Sequence, residues 1–123
     1  MKDNPGSQQQ RMAVVATALI NAQKALGLSN ETLGKIIGVE ASTVTRIARR
    51  GGISDGKTLE RAVLLIRAYD PLYLLRGGDL ASMRHWVITA NLDFNEGPPL
   101  KAMEGREGLA DVARYLEAMR IHC

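Results

Sequence analysis

From Arg11 onward, Met12, Val15, Leu19, Ala22 and Leu26 recur at steps of three and four residues, the spacing that puts apolar side chains on one face of a helix. With Gly27 as a C-cap candidate, this predicts a first helix over about residues 9–26. Ser29, followed by Asn30, Glu31 and Thr32, is a good N-cap and opens a short helix to Ile37. Gly38 can take a positive φ at little cost and supports a sharp turn. Ala41 to Arg50 then has helical spacing and stops at Gly51-Gly52.

After an Asp55-Gly56 turn, Leu59, Val63 and Ile66 mark an amphipathic helix that reaches Tyr69. Asp70-Pro71 has the form of an N-cap with Pro at the first helical position, which predicts a restart there and a further turn or two over Leu72 to Arg76, closed by Gly77-Gly78. Asp79 begins a fifth helix containing Met83, Trp86 and Val87. Asn91 to Leu100 holds Asp93, Asn95, Gly97, Pro98 and Pro99, which is loop chemistry. Leu109, Val112, Leu116 and Met119 give the last helix a clean stripe, with Asp111, Arg114, Glu117 and Arg120 facing outward. No segment alternates as a strand would, so the fold class is all-α.

The chain has 123 residues, 46% hydrophobic and 24% charged, which suits one folded domain or two small co-packed modules and excludes a large multi-domain enzyme. Aromatics are 4%, so the core rests on Leu, Ile, Val, Ala and Met. Met1 to Gln10 is polar and reads as a disordered leader or tag remnant. The single cysteine, Cys123, excludes an internal disulfide framework and any CxxC site, and fits a reducing cytoplasm. The longest apolar run, Ala13 to Ile20, falls short of the roughly 20 residues that a membrane span needs.

The net charge of +3 is small, but residues 24–50 carry all of that surplus: Lys24, Lys35, Arg46, Arg49 and Arg50 face only Glu31 and Glu40. That segment also has the pattern of a helix-turn-helix. Two short helices crossing steeply need a small residue where they touch and a flexible one between them, and Gly34 and Gly38 fit those needs. Leu33, Ile37, Val39, Val44 and Ile47 would lock the second helix on the first. Ser42, Thr45, Arg46 and Arg49 then face outward, with Thr43 beside them. Arg can bind guanine bidentately, Ser and Thr can reach base edges or phosphates, and Arg49, Arg50 and Lys35 would neutralise backbone charge. A helical hairpin with a solvated basic face has the same composition; the combined spacing favours the DNA-reading motif.

Catalytic chemistry is poorly supplied. His85 and His122 are the two histidines, so a His-rich metal site is excluded, and His122-Cys123 offers two adjacent ligands without partners. Asp79, Ser82 and His85 lie on one helix face, whereas a triad needs groups converging from different elements around an oxyanion hole. The glycine pairs lack the Walker and dinucleotide spacings and read as turns and caps. Neither an enzymatic activity nor a cofactor is expected.

The run Arg84-His85-Trp86-Val87, then Asn91, then Pro98-Pro99-Leu100-Lys101-Ala102-Met103, then Glu107-Gly108-Leu109 and Tyr115-Leu116-Glu117-Ala118-Met119-Arg120 resembles the toxin-binding domain of the MbcA/ParS/Xre antitoxin family. Leu72 to Gly78 resembles it too, and with the helix-turn-helix the likeness covers about residues 12–121. Two departures bear on the loop's conformation: Thr89-Ala90-Asn91 stands where the family usually has Thr-Pro-Asn, and Phe94-Asn95-Glu96-Gly97 where it has a Leu-Gly-Gly turn.

After the leader over 1–10, the resemblance implies a helix-turn-helix module over 11–68 and a small helical toxin-binding module over 69–123. It implies a cytoplasmic antitoxin that neutralises a RES- or ParT-type toxin, one that consumes or uses NAD, by covering its active site. It also implies repression of its own operon at operator DNA as a homodimer or higher oligomer. The alternative is a stand-alone Xre-like repressor whose C-terminal half only oligomerises. A lone Trp in a small helical domain is usually buried, so Trp86 is read as core first and as a toxin contact second, together with Asn91. Arg114, Glu117 and Arg120, with the tail Ile121, His122 and Cys123, are the other candidate toxin contacts.

Overall fold

A computed structural model describes residues 5–54 and 56–122, and side chains over 8–54 and 56–121. Seven α-helices and one 3-10 turn, with no strand among the described residues, make an all-α fold. Helix α1 spans Pro5–Leu26. It begins within the segment that reads as a leader, because proline is favoured at a helix's first position. Gln8 to Gln10 are exposed, and Met1 to Asn4 lie outside the described residues. Leu19, Ala22 and Leu26 are buried as the periodicity predicts, whereas Met12 and Val15 are half-buried and Ala16, outside the predicted stripe, is buried in their place. Gly27, at φ 69°, ends the helix.

Helices α2 (Asn30–Ile37) and α3 (Ala41–Arg50) form the helix-turn-helix. Ser29 Oγ accepts from the Thr32 backbone N–H at 3.1 Å, the expected N-cap. Gly38 stands at φ 81°, and its N–H and that of Val39 both donate to the Gly34 carbonyl, at 2.7 and 2.9 Å. At Gly34 a Cβ would lie 2.5 Å from the Val39 carbonyl oxygen, so the turn folds back over a position that only glycine can hold. Val44 and Ile47 pack α3 inward with Leu33, Ile36 and Ile37. The Arg61 guanidinium covers the turn, 2.8 Å from where a Gly38 Cβ would stand.

Helix α4 (Lys57–Leu75) runs without a break through Pro71, and this corrects the restart expected at Asp70. Proline removes one backbone hydrogen bond and crowds the preceding turn, at a cost of about 3 kcal/mol. Offsetting this, Ala62, Leu65, Ala68, Pro71 and Leu72 form one buried stripe that a break would split. The division expected between residues 68 and 69 therefore falls inside one helix, and no linker separates the modules. Gly77 and Gly78, both at positive φ, end this stretch as predicted.

Helix α5 (Leu80–Ile88) leads to a 3-10 turn (Leu92–Phe94), α6 (Pro99–Met103) and α7 (Arg106–His122). The segment read as a loop thus contains the 3-10 turn, and Pro99 opens α6 with proline's favoured placement. Gly108 is a close approach, not a cap: a Cβ there would run into the Ala102 carbonyl. In α7, Leu109, Val112, Ala113 and Leu116 are buried, whereas Met119 is 42% exposed. The sequence stripe ends on Met119, but the core ends one turn before it.

Gly34→Ala should destabilise by about 1–3 kcal/mol, since backbone must shift to admit the methyl group. Gly52→Ala, with no atom within 4 Å of its Cβ, should be neutral or slightly stabilising through the unfolded chain. Thermal melts of the two variants check this: equal melting temperatures would place the helix contact elsewhere.

Candidate functional site

Two faces carry the residues singled out above. On α3, Ser42, Thr45, Arg46, Arg49 and Arg50 are exposed and line one groove, because Val44 and Ile47 anchor the opposite side. Among the described residues no carboxylate pairs with Arg46, Arg49 or Arg50. The face is therefore positive and available to an anion. Lys35 is exposed on α2 and lies outside that groove, and Thr43 is half-buried.

A hydrogen-bonded chain behind α3 was not legible in the sequence. Gln23 Nε2 donates to Asn30 Oδ1 at 2.7 Å, Asn30 Nδ2 donates to Thr45 Oγ1 at 3.2 Å, and Thr45 Oγ1 donates to the Ala41 carbonyl at 3.3 Å. It ties α1, α2 and α3 together through side chains. Gln23 is 8% exposed, and Asn30 reads in sequence as no more than a polar neighbour of the N-cap. Nothing local links it to a residue fifteen positions on.

In the C-terminal half, the half-buried Trp86 stacks on Tyr115 at 6.3 Å between centroids and meets the edge of Phe94 at 6.1 Å. Phe94 and Tyr115 close the cluster at 5.2 Å. Asn91 builds the loop that delivers Phe94: its Oδ1 accepts from the Asp93 N–H at 3.0 Å and its own N–H donates to the Gly97 carbonyl at 3.0 Å. Asn95 and Glu96 hold positive φ, a conformation that glycine adopts at little cost. Burial, together with a hydrogen bond to Asp93 and that residue's charge, pushes the Tyr115 hydroxyl above the usual tyrosine range.

A groove lined by Leu72, Leu75, Trp86, Tyr115 and Met119 opens beside this cluster. Arg114 lies in a different groove and pairs with Asp111 on its own helix. Glu117, expected to stand free, accepts from Arg67 Nε at 3.2 Å and Nη2 at 2.9 Å, and the pairing holds the guanidinium's proton more tightly. Arg120 is exposed and Ile121 is 78% exposed. The His122 side chain and Cys123 lie outside the described residues.

A second residue that sequence reasoning missed is Arg84. Its Nε donates to the Ala25 carbonyl and its Nη2 to the Lys24 carbonyl, both at 2.9 Å, so α5 caps the C-terminus of α1. A cation there adds to the hydrogen bonding of the last carbonyls, of which Lys24's also accepts from the Gly27 N–H at 3.2 Å, and complements the helix dipole. Of the triad-like set, His85 is exposed and half-buried Ser82 accepts from Arg76 at 3.4 Å. The described residues contain no group of three potential metal ligands among His, Cys, Asp and Glu, and no helix among them is long and apolar enough to cross a membrane.

Two family models match the chain. The antitoxin Xre-like helix-turn-helix domain covers residues 6–67, and the antitoxin Xre/MbcA/ParS C-terminal toxin-binding domain covers residues 72–120. Both matched regions include part of α4. No curated protein matches the chain.

The raised Tyr115 value makes stability depend on alkaline pH. The folded state keeps this proton after the unfolded chain has lost it near pH 10.0, so the stabilisation is complete below that pH and is lost as pH rises through the folded value. The melting temperature of the wild type should fall more steeply above about pH 10 than that of Tyr115→Phe. Melts across an alkaline series check this. Tyr69, raised mainly by burial, should leave a smaller residual slope in the variant.

Proposed function

Because the chain belongs to the Xre/MbcA/ParS antitoxin family, with a helix-turn-helix domain and a toxin-binding domain in one body, we propose that it neutralises a toxin that consumes or uses NAD, of RES or ParT type, by covering the active site. The observation that carries this reading is the last turn of α7, where Met119, Arg120 and Ile121 are exposed beyond the buried stripe. An apolar pair flanking an arginine is suited to anchor in a cleft, and it would exclude the dinucleotide by occupancy. Trp86, half-buried beside the Met119 groove, would support that surface. The protein itself catalyses nothing, needs no cofactor, and acts in the cytoplasm.

The test is a growth assay of cells expressing the toxin encoded beside this gene. Substituting Met119→Asp and Ile121→Asp together should abolish protection while circular dichroism and melting stay near wild type, since neither side chain belongs to the buried core. Full protection by the folded double variant would move the inhibitory surface to Trp86 and the Asn91 to Met103 segment. Failure of the wild type to protect or to bind any adjacent gene product would favour a stand-alone repressor whose C-terminal half oligomerises.

The same protein, as a dimer or higher oligomer, represses its own operon through α3. Paired half-sites on a duplex match paired copies of the reading helix. Arg46, central on the groove, reads a base edge, whereas Arg49 and Arg50 contact phosphate along with Lys35. Arg46→Ala should cost about 1–3 kcal/mol at the operator, and Arg49→Ala should weaken all duplexes alike with a shallower salt dependence. Gel shifts at two salt concentrations separate the two effects; unchanged operator binding by both variants would remove α3 as the reader.

A further inference from the structure

Thr45 sits on the exposed face of α3 among Ser42, Arg46 and Arg49, yet its hydroxyl is already engaged. The single proton of that hydroxyl goes to the Ala41 carbonyl, and a lone pair takes the Asn30 amide N–H. No proton is left for a phosphate oxygen, for N7 or O6 of guanine, or for O4 of thymine. Asn30 is itself held by the buried Gln23, so the χ1 of Thr45 is selected before DNA arrives. A β-branched side chain has few rotamers in a helix, and fixing one in advance lowers the entropy lost on binding.

The second lone pair can only accept, from the N6 amine of adenine or the N4 amine of cytosine, so toward guanine or thymine the contact Thr45 has left to offer is its methyl group. In the major groove one base presents a matching apolar feature, the 5-methyl of thymine. We infer that Thr45 is a specificity-determining residue that reads a thymine at one position of each half-site by methyl-to-methyl contact, with Asn30 and Gln23 as positioning residues. This rests on α3 being the DNA-reading helix.

The experiment is selection from a pool of random DNA duplexes by the full chain, run in parallel for wild type, Thr45→Ser and Thr45→Val. The serine variant keeps both hydrogen bonds and loses only the methyl; valine keeps a methyl and loses the hydroxyl. Wild type and Thr45→Val should enrich thymine at one position of the half-site, and Thr45→Ser should not. Replacing that thymine by deoxyuracil, which removes only the 5-methyl, should weaken wild-type binding about fourfold, the worth of one buried methyl group, and leave Thr45→Ser unchanged.

A thymine preference kept by Thr45→Ser, or lost by Thr45→Val and kept by Thr45→Ser, would overturn the proposal, as would indifference of the wild type to deoxyuracil. If the wild type selects no sequence at all, the assignment of α3 as a DNA reader falls, and this proposal with it. A clear wild-type consensus without a Thr45-dependent thymine overturns this proposal alone.

Discussion

Helix α4 has to bury one continuous stripe against partners from both halves of the chain. Its residues pack with α1 and α2 on the N-terminal side and with α7 on the C-terminal side, and the stripe from Ala62 to Leu72 crosses the boundary between the matched domains. Pro71 would break an isolated helix of this length. Here the loss of one hydrogen bond competes with separating Leu72 from Leu65 and Ala68, and burial of a leucine alone is worth about 1.5–3 kcal/mol. Packing prevails, and a shared helix does the work of a linker.

With α4 continuous, α7 can lie alongside it in the same direction. Glu60 meets Arg106 at 2.9 Å near the start of both helices, and Arg67 meets Glu117 at 2.9 Å further along. Exposed pairs of this kind contribute little individually, so they set register more than stability. Arg84 supplies the second tie between the halves by capping α1 from α5. The orientation of α3 relative to the C-terminal module is thereby held at two separate places.

The two faces differ in how they are prepared. On α3 the arginines stand in solvent with no carboxylate partner among the described residues, while the Gln23, Asn30 and Thr45 chain orders the side chain between them. In the C-terminal half, Trp86, Phe94 and Tyr115 make a rigid aromatic wall beside the groove that Met119 borders. Edge-on and offset ring contacts are worth about 0.5–1.5 kcal/mol each beyond burial, enough to keep an irregular loop against α7 despite positive φ at Asn95 and Glu96.

By itself the sequence determined what depends on neighbours a few residues apart. Helix spacing, the Ser29 cap, the Gly38 turn, the Gly34 contact and the outward set on α3 follow from local sterics and a period of 3.6 residues. The motifs of the second half were specific enough to place the chain in its family. Only the tertiary structure decided the continuity of α4 through Pro71, the Asn30 bond to Thr45, the gathering of Phe94 and Tyr115 around Trp86, the capture of Glu117 by Arg67, and the release of Met119 from the core. Each of these turns on which helix faces meet across long stretches of chain. That outcome is a competition between burial and local preference, and a periodic pattern shows that a face is apolar without showing what will cover it or where the cover ends.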